Sequence, residues 1–156
     1  MAHINTLIDN TVAAYIVYGR SVLLIDHVKL KRWLPIGGHI ELEDDPEEAL
    51  FREIEEECGL TKDLLEVFGK KPEIISEGTK FLYAPVYLDI HTISENHRHI
   101  GMTYFVKALT QKIQLDEKEH NAIRWVSFND LDSPAFNLLP AVRFYAKEAI
   151  EKLGWD

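Results

Sequence analysis

Between Pro46 and Gly59 the chain reads PEEALFREIEEECG, with six glutamates, one arginine and no lysine. On a helix turning about 100° per residue, Glu53, Glu56 and Glu57 share one arc about 100° wide. Leu50, Phe51, Ile54 and Cys58 form an apolar stripe beside that arc, and Glu48 and Glu55 fall on a third side. Arg52 stands one turn before Glu56 and can pair with it. Three carboxylates this close raise one another's pKa. A face that serves only solubility would intersperse lysines four residues on. A hard divalent cation relieves the repulsion, and Mg²⁺ takes oxygen ligands and completes its shell with substrate phosphates. A solvated glutamate face is the other reading, and periodicity alone does not separate the two.

The elements around this segment are legible. Asp45-Pro46-Glu47-Glu48 combines an N-cap, a proline at the first helical position and a capping-box glutamate. Gly59 supplies a left-handed C-cap after Cys58. Residues 12–18 (VAAYIVY) and 22–25 (VLLI) read as strands joined across Gly19-Arg20, and a short third strand approaches Pro35. Residues 81–93, 102–109 and 123–128 read as further strands, with a polar loop at 94–99. Residues 139–153 carry Val142, Tyr145, Ala146, Ala149, Ile150 and Leu153 at helical spacing. The expected fold class is α/β (α+β), with helices packed on a mixed sheet.

With 156 residues and 46% hydrophobic composition, one domain over 1–156 is expected, with a sizeable core. A single cysteine, Cys58, allows no internal disulfide and suits a reducing compartment. The net charge of −9 argues against a nucleic acid polymer or an anionic membrane as partner. No secretory signal opens the sequence and no run of apolar residues could span a bilayer, so a cytoplasmic location is expected.

Upstream of the helix lie Pro35-Ile36-Gly37-Gly38-His39-Ile40-Glu41 and Asp44. With these the chain closely resembles the Nudix hydrolase family (MutT-like). The box of that family runs Gly, five residues, Glu, seven residues, Arg-Glu-aliphatic, any, Glu-Glu, any, Gly-aliphatic. Gly38, Arg52, Glu53, Ile54, Glu56, Glu57, Gly59 and Leu60 fill their slots, and a chance match at one start position is on the order of 10⁻⁸. The departure is Asp44, one methylene shorter than the usual Glu.

The resemblance implies an α/β/α sandwich around a mixed sheet, and hydrolysis of the pyrophosphate linkage of a nucleoside diphosphate derivative. It implies Mg²⁺ (or Mn²⁺) on Glu53, Glu56, Glu57 and the Gly38 carbonyl, with Arg52 orienting Glu53 or Glu56. A box glutamate, Glu119 or Glu95 would be the general base. Read from the residues themselves, Arg98 and His99 lie in a substrate loop where they contact phosphate or base, or are simply solvated; Phe136 and Asn137 stand where some members read the nucleobase, although Asn137 could equally cap the last helix. Zinc on His91, His97 and His99 is not expected, because no cysteine accompanies them and Arg98 would repel the ion. Cys58, Trp33 and Trp125 read as packing residues. Homodimers are common in the family, so a homodimer is one expected state.

Substrate signatures point to no named subgroup. The NADH-type Ser-Gln-Pro-Trp-Pro is absent; Ile75 stands where ADP-ribose hydrolases carry proline; Tyr83 comes late for the diadenosine polyphosphate position. A (deoxy)nucleoside triphosphate, oxidised or not, is left as the expected small-molecule substrate. A non-catalytic nucleotide-binding or regulatory module is the alternative. An isopentenyl diphosphate isomerase fits less well, since Cys58 lies inside the box.

Overall fold

The computed structural model describes residues 3–116, 118 and 120–156. Its strands are β1 (Ile8–Tyr18), β2 (Ser21–His27), β3 (Arg32–Leu34), β4 (Ile36–His39), β5 (Leu65–Val67), β6 (Tyr87–Ser94), β7 (His97–Ala108) and β8 (His120–Ser127); α1 is Pro46–Cys58 and α2 is Pro140–Leu153. The strands form one mixed sheet. β1 and β7 run parallel from the Ile8↔Arg98 pair to Val17↔Lys107, and every other pairing is antiparallel. On its other edge β1 divides: Thr11 to Ala14 pair with β4, and Val17 and Tyr18 with β2.

Each face of the sheet carries a helix. Val12, Ala14, Ile16, Leu23, Ile25, Tyr104 and Val106 pack with Leu50, Ile54 and Cys58 of α1. Tyr15, Val17, Val22, Leu24 and Phe105 pack with Val142, Ala146, Ala149 and Ile150 of α2. Burial on both faces explains why the central strands read as unbroken apolar runs rather than alternating ones. Ile54 is fully buried at the centre of the α1 layer. Ile54→Ala is expected to cost about 2–5 kcal/mol of stability, read from the midpoint of urea unfolding.

The helix bearing the carboxylates starts and stops where its capping residues dictate. Asp45 Oδ1 accepts from the Glu48 amide at 2.9 Å, and Glu48 Oε2 accepts from the Asp45 amide at 2.9 Å. Gly59 closes the helix with φ 77°.

Several expected boundaries differ; β1 begins earlier, at Ile8, and β8 at His120. The strand read from 81 begins at Tyr87. Pro85 has no amide to give a ladder, and the Tyr83 amide donates instead to Glu47 Oε1 at 2.7 Å. Glu47 is buried there and also meets Lys71 Nζ at 2.9 Å, so this segment lies over the first turn of α1. The loop expected at 94–99 contracts to a turn at Glu95 and Asn96, and His97 and His99 enter β7. Asn137 does not cap α2, whose N-cap is Leu139; Asn137 closes the single 3₁₀ turn Pro134–Phe136 in a left-handed conformation (φ 46°).

Candidate active site

α1 lies across β4, and the glycines of that strand let its carboxylates in. Gly38 faces α1, as Ile36 does, and a Cβ there would stand 2.3 Å from Glu53 Oε1. Only glycine leaves room for that carboxylate. Gly37 meets a different neighbour: a Cβ there would fall 2.3 Å from the Val12 carbonyl oxygen of β1. Its amide donates to Glu57 Oε1 at 3.1 Å. The other oxygen of Glu57 stands 2.8 Å from His120 Nε2 at the start of β8. Glu53 and Glu57 are 2% and 3% exposed, whereas the Glu56 side chain is 57% exposed.

Arg52 ties this pair to the loop before the helix. Its Nη1 donates to Glu53 Oε1 at 3.0 Å, and its Nη2 donates to Asp44 Oδ2 at 2.7 Å and to the His39 carbonyl at 3.2 Å. Glu56 Oε2 is farther, at 3.7 Å. The expected one-turn pairing is therefore the weaker contact, and the strong ones run to Asp44 and Glu53. Asp44, the residue that departs from the family box, reaches the guanidinium at full hydrogen-bond strength despite its shorter stem.

Burial, and then the neighbouring Glu57 charge, push the Glu53 carboxyl up to about 8 against the pull of Arg52. Burial also raises Glu57, although His120 and the Gly37 amide oppose it. Arg52 moves the other way: burial would lower it, but Asp44 and Glu53 hold it above its ordinary value. Two buried carboxyls facing each other are short of positive charge, and oxygen donors in this arrangement fit a hard divalent ion. Gly38→Ala is expected to keep the fold and displace Glu53. Affinity for Mg²⁺, measured by calorimetry, should then fall about 10- to 100-fold.

The other residues singled out in the sequence are dispersed around this centre. Glu119 lies outside the described residues. Glu95 is exposed in the turn between β6 and β7. Arg98 is exposed and alternates with His97 and His99, so it points to the α1 face while the two histidines point to the α2 face. His99 lies among other imidazoles; burial, then His39, His91 and His97, hold it down at about 4. The Phe136 ring is buried edge-on to Trp33, with centroids 5.2 Å apart, and Asn137 is exposed beside it. Cys58 Sγ donates to the Ile54 carbonyl at 3.1 Å, and burial pushes its thiol up to about 11, which suits packing rather than nucleophilic work.

Sequence reasoning missed His120 as a partner of Glu57 and Asp9 as a partner of the histidines. Both contacts join residues remote in the chain. Only the alternation of strands whose boundaries were not yet known could have found them.

A family model for the NUDIX domain matches residues 8–151. A NUDIX-family hydrolase from Clostridium perfringens is 31% identical; the match covers 96% of this chain and 99% of that one, with a TM-score of 0.79. Two more distant structures share the fold. A MutT NUDIX hydrolase from Burkholderia pseudomallei is 22% identical over 92% of this chain and 96% of that one, with a TM-score of 0.62. A C. elegans Ap4A hydrolase is 16% identical over 94% and 96%, with a TM-score of 0.66. Comparison with curated proteins gives no match. The sheet between two helices is thus the α+β architecture of Nudix-fold hydrolases. The chain belongs to the Nudix family and is a Nudix hydrolase.

Proposed function

We propose that this chain, as a single domain, hydrolyses the pyrophosphate linkage of a nucleoside diphosphate derivative with Mg²⁺ or Mn²⁺. The observation that carries this reading is the buried Glu53–Glu57 pair behind Gly38, braced by Arg52. Glu53, Glu57, the half-exposed Glu56 and the Gly38 carbonyl would hold the metal. When bound, the ion neutralises the phosphoanhydride and lowers the pKa of a water. The protein's own part is positional. Arg52 fixes Glu53, while the Gly37 amide and His120 fix Glu57. A carboxylate takes the proton of the attacking water, and Glu53 and Glu119 are the two candidates.

A (deoxy)nucleoside triphosphate, oxidised or not, is the substrate class left by the missing subgroup signatures. Arg98, exposed on the α1 face, suits contact with phosphate; Phe136 is packed in the α2-side core against Trp33, which leaves the exposed Asn137 as the candidate for contact with the base. His99 has a different setting, beside a buried carboxylate that would repel phosphate. Among the described residues no helix is long and apolar enough to cross a membrane, and a cytoplasmic place belongs to the same reading. So does a homodimer, for which Leu88 and Ile90, exposed on β6, offer an apolar face.

The test is phosphate or nucleotide release after Mg²⁺ addition across nucleoside triphosphates, ADP-ribose, dinucleoside polyphosphates and nucleotide sugars, with Glu57→Gln alongside. A substrate turned over by the natural chain and not by the variant supports the hydrolase. Tight nucleotide binding with no turnover anywhere in the panel would favour the regulatory module.

A further inference from the structure

On the sheet face opposite α1, imidazoles from two strands and the N-terminal segment converge on one buried carboxylate. Asp9 of β1 is 1% exposed, and its oxygens accept from the amides of Ile4 at 3.1 Å and Asn5 at 2.6 Å. Its Oδ2 lies 3.4 Å from His3 Nδ1, 3.3 Å from His39 Nε2 and 3.3 Å from His97 Nε2. His99 completes the group: the ligand atoms of His3, Asp9, His97 and His99 all lie within 4.8 Å of one another.

The spacing is informative. A charge-assisted hydrogen bond between imidazole and carboxylate is about 2.7–2.9 Å long. This molecule makes one of that length, from His91 to Asp89 at 2.8 Å. From Asp9 to the two ligand nitrogens of His3 and His97 the separations are half an ångström longer, at 3.4 and 3.3 Å. A tetrahedral ion with bonds of about 2.0–2.1 Å spaces its ligand atoms about 3.3–3.4 Å apart.

His97 supplies a second, independent observation. Its Nδ1 lies 3.0 Å from the Thr6 carbonyl, which can only accept, so the proton sits on Nδ1. In the neutral ring Nε2 then presents a lone pair toward Asp9. That atom is buried, on a side chain 4% exposed, and has no hydrogen-bond partner. In that form acceptor faces acceptor away from water, and a cation between them satisfies both. An imidazole held from behind by a backbone carbonyl is the usual outer-shell support of a metal-ligating histidine. The expectation that Arg98 would repel an ion fails, because strand alternation turns its side chain to the other face.

We propose that His3, Asp9, His97 and His99 form a site for a borderline divalent transition cation, separate from the box carboxylates. Three nitrogen donors and one oxygen suit Zn²⁺ and its neighbours, whereas Mg²⁺ prefers oxygen. The buried Asp9 charge rejects an anionic ligand. The ion fastens the segment carrying His3 to β1 and β7. This assignment does not rest on the hydrolase reading.

The experiment is calorimetric titration of the full chain with Zn²⁺ in excess Mg²⁺, repeated with Co²⁺ to read the visible spectrum of the bound ion. One Zn²⁺ per chain is expected, with a tetrahedral Co²⁺ spectrum. Loss of a ligand should exceed the about 10- to 100-fold weakening that follows loss of an outer-shell partner. His97→Ala and His99→Ala should therefore each weaken Zn²⁺ by at least about 100-fold, and Glu57→Gln should leave it unchanged. His99 is only half-buried, so His99→Ala decides the matter if His97→Ala does not fold. Absence of Zn²⁺ binding in excess Mg²⁺ overturns the proposal. So does Zn²⁺ binding that survives His99→Ala and disappears in Glu57→Gln.

Discussion

Glu53→Gln is expected to lower kcat/KM roughly 10³-fold while leaving the metal-free fold as stable as before. The substitution keeps the size of the side chain and removes its capacity for negative charge. Metal-assisted charge stabilisation contributes several kcal/mol in the transition state, and each 1.36 kcal/mol lost is about tenfold in rate. The carboxyl is already held largely protonated at neutral pH when no ion is present, because it is buried against Glu57. Glutamine reproduces that neutral form, so a purely structural role would leave both activity and unfolding midpoint untouched. Steady-state kinetics beside urea unfolding in EDTA separates the two. Full activity in Glu53→Gln would remove Glu53 from the chemistry.

The same buried pair makes stability depend on pH in a direction that can be stated beforehand. The Glu53 pKa is raised from 4.5 to about 8 in the folded chain. The fold therefore favours the protonated form. Its contribution is complete below about pH 4.5 and is lost as pH rises to about 8. In EDTA the natural chain should lose on the order of a few kcal/mol across that window. Glu57 is raised as well and acts in the same sense. Mg²⁺ should reverse the loss, by an increment that grows with pH, and should release protons on binding. Urea titrations at several pH values, with and without Mg²⁺, give the first; calorimetry in buffers of different ionisation heat gives the second. A stability curve indifferent to Mg²⁺ at pH 8 would contradict this account.

The elements carrying strong local signals were legible in the sequence. Asp45, Pro46, Glu48 and Gly59 mark both ends of α1, and the caps they form are observed. The apolar runs of β1 and β2 were legible too, although β1 extends back to Ile8, through Asp9, which faces histidines rather than the core. What could not be read depended on contacts between distant parts of the chain. Glu47 looks like a first-turn surface residue, yet Lys71 and the Tyr83 amide bury it and cancel the strand expected from 81. His97 and His99 looked like loop residues because nothing local announces that β1 will pair with them. That parallel pairing places Asp9 beside His99 and turns a polar stretch into a cluster around a buried charge. The box residues themselves were found from their spacing, but the reason for Gly38 appeared only with the Glu53 carboxylate lying where its Cβ would be.

The most direct test of the buried carboxylates as a hydrolytic centre is to run the nucleoside triphosphate reaction with Mg²⁺ in heavy-oxygen water and weigh the products. One heavy oxygen per turnover is expected in a phosphate product, from the natural chain and not from Glu53→Gln or Glu57→Gln. Product carrying no label, or label formed equally by both variants, would contradict it.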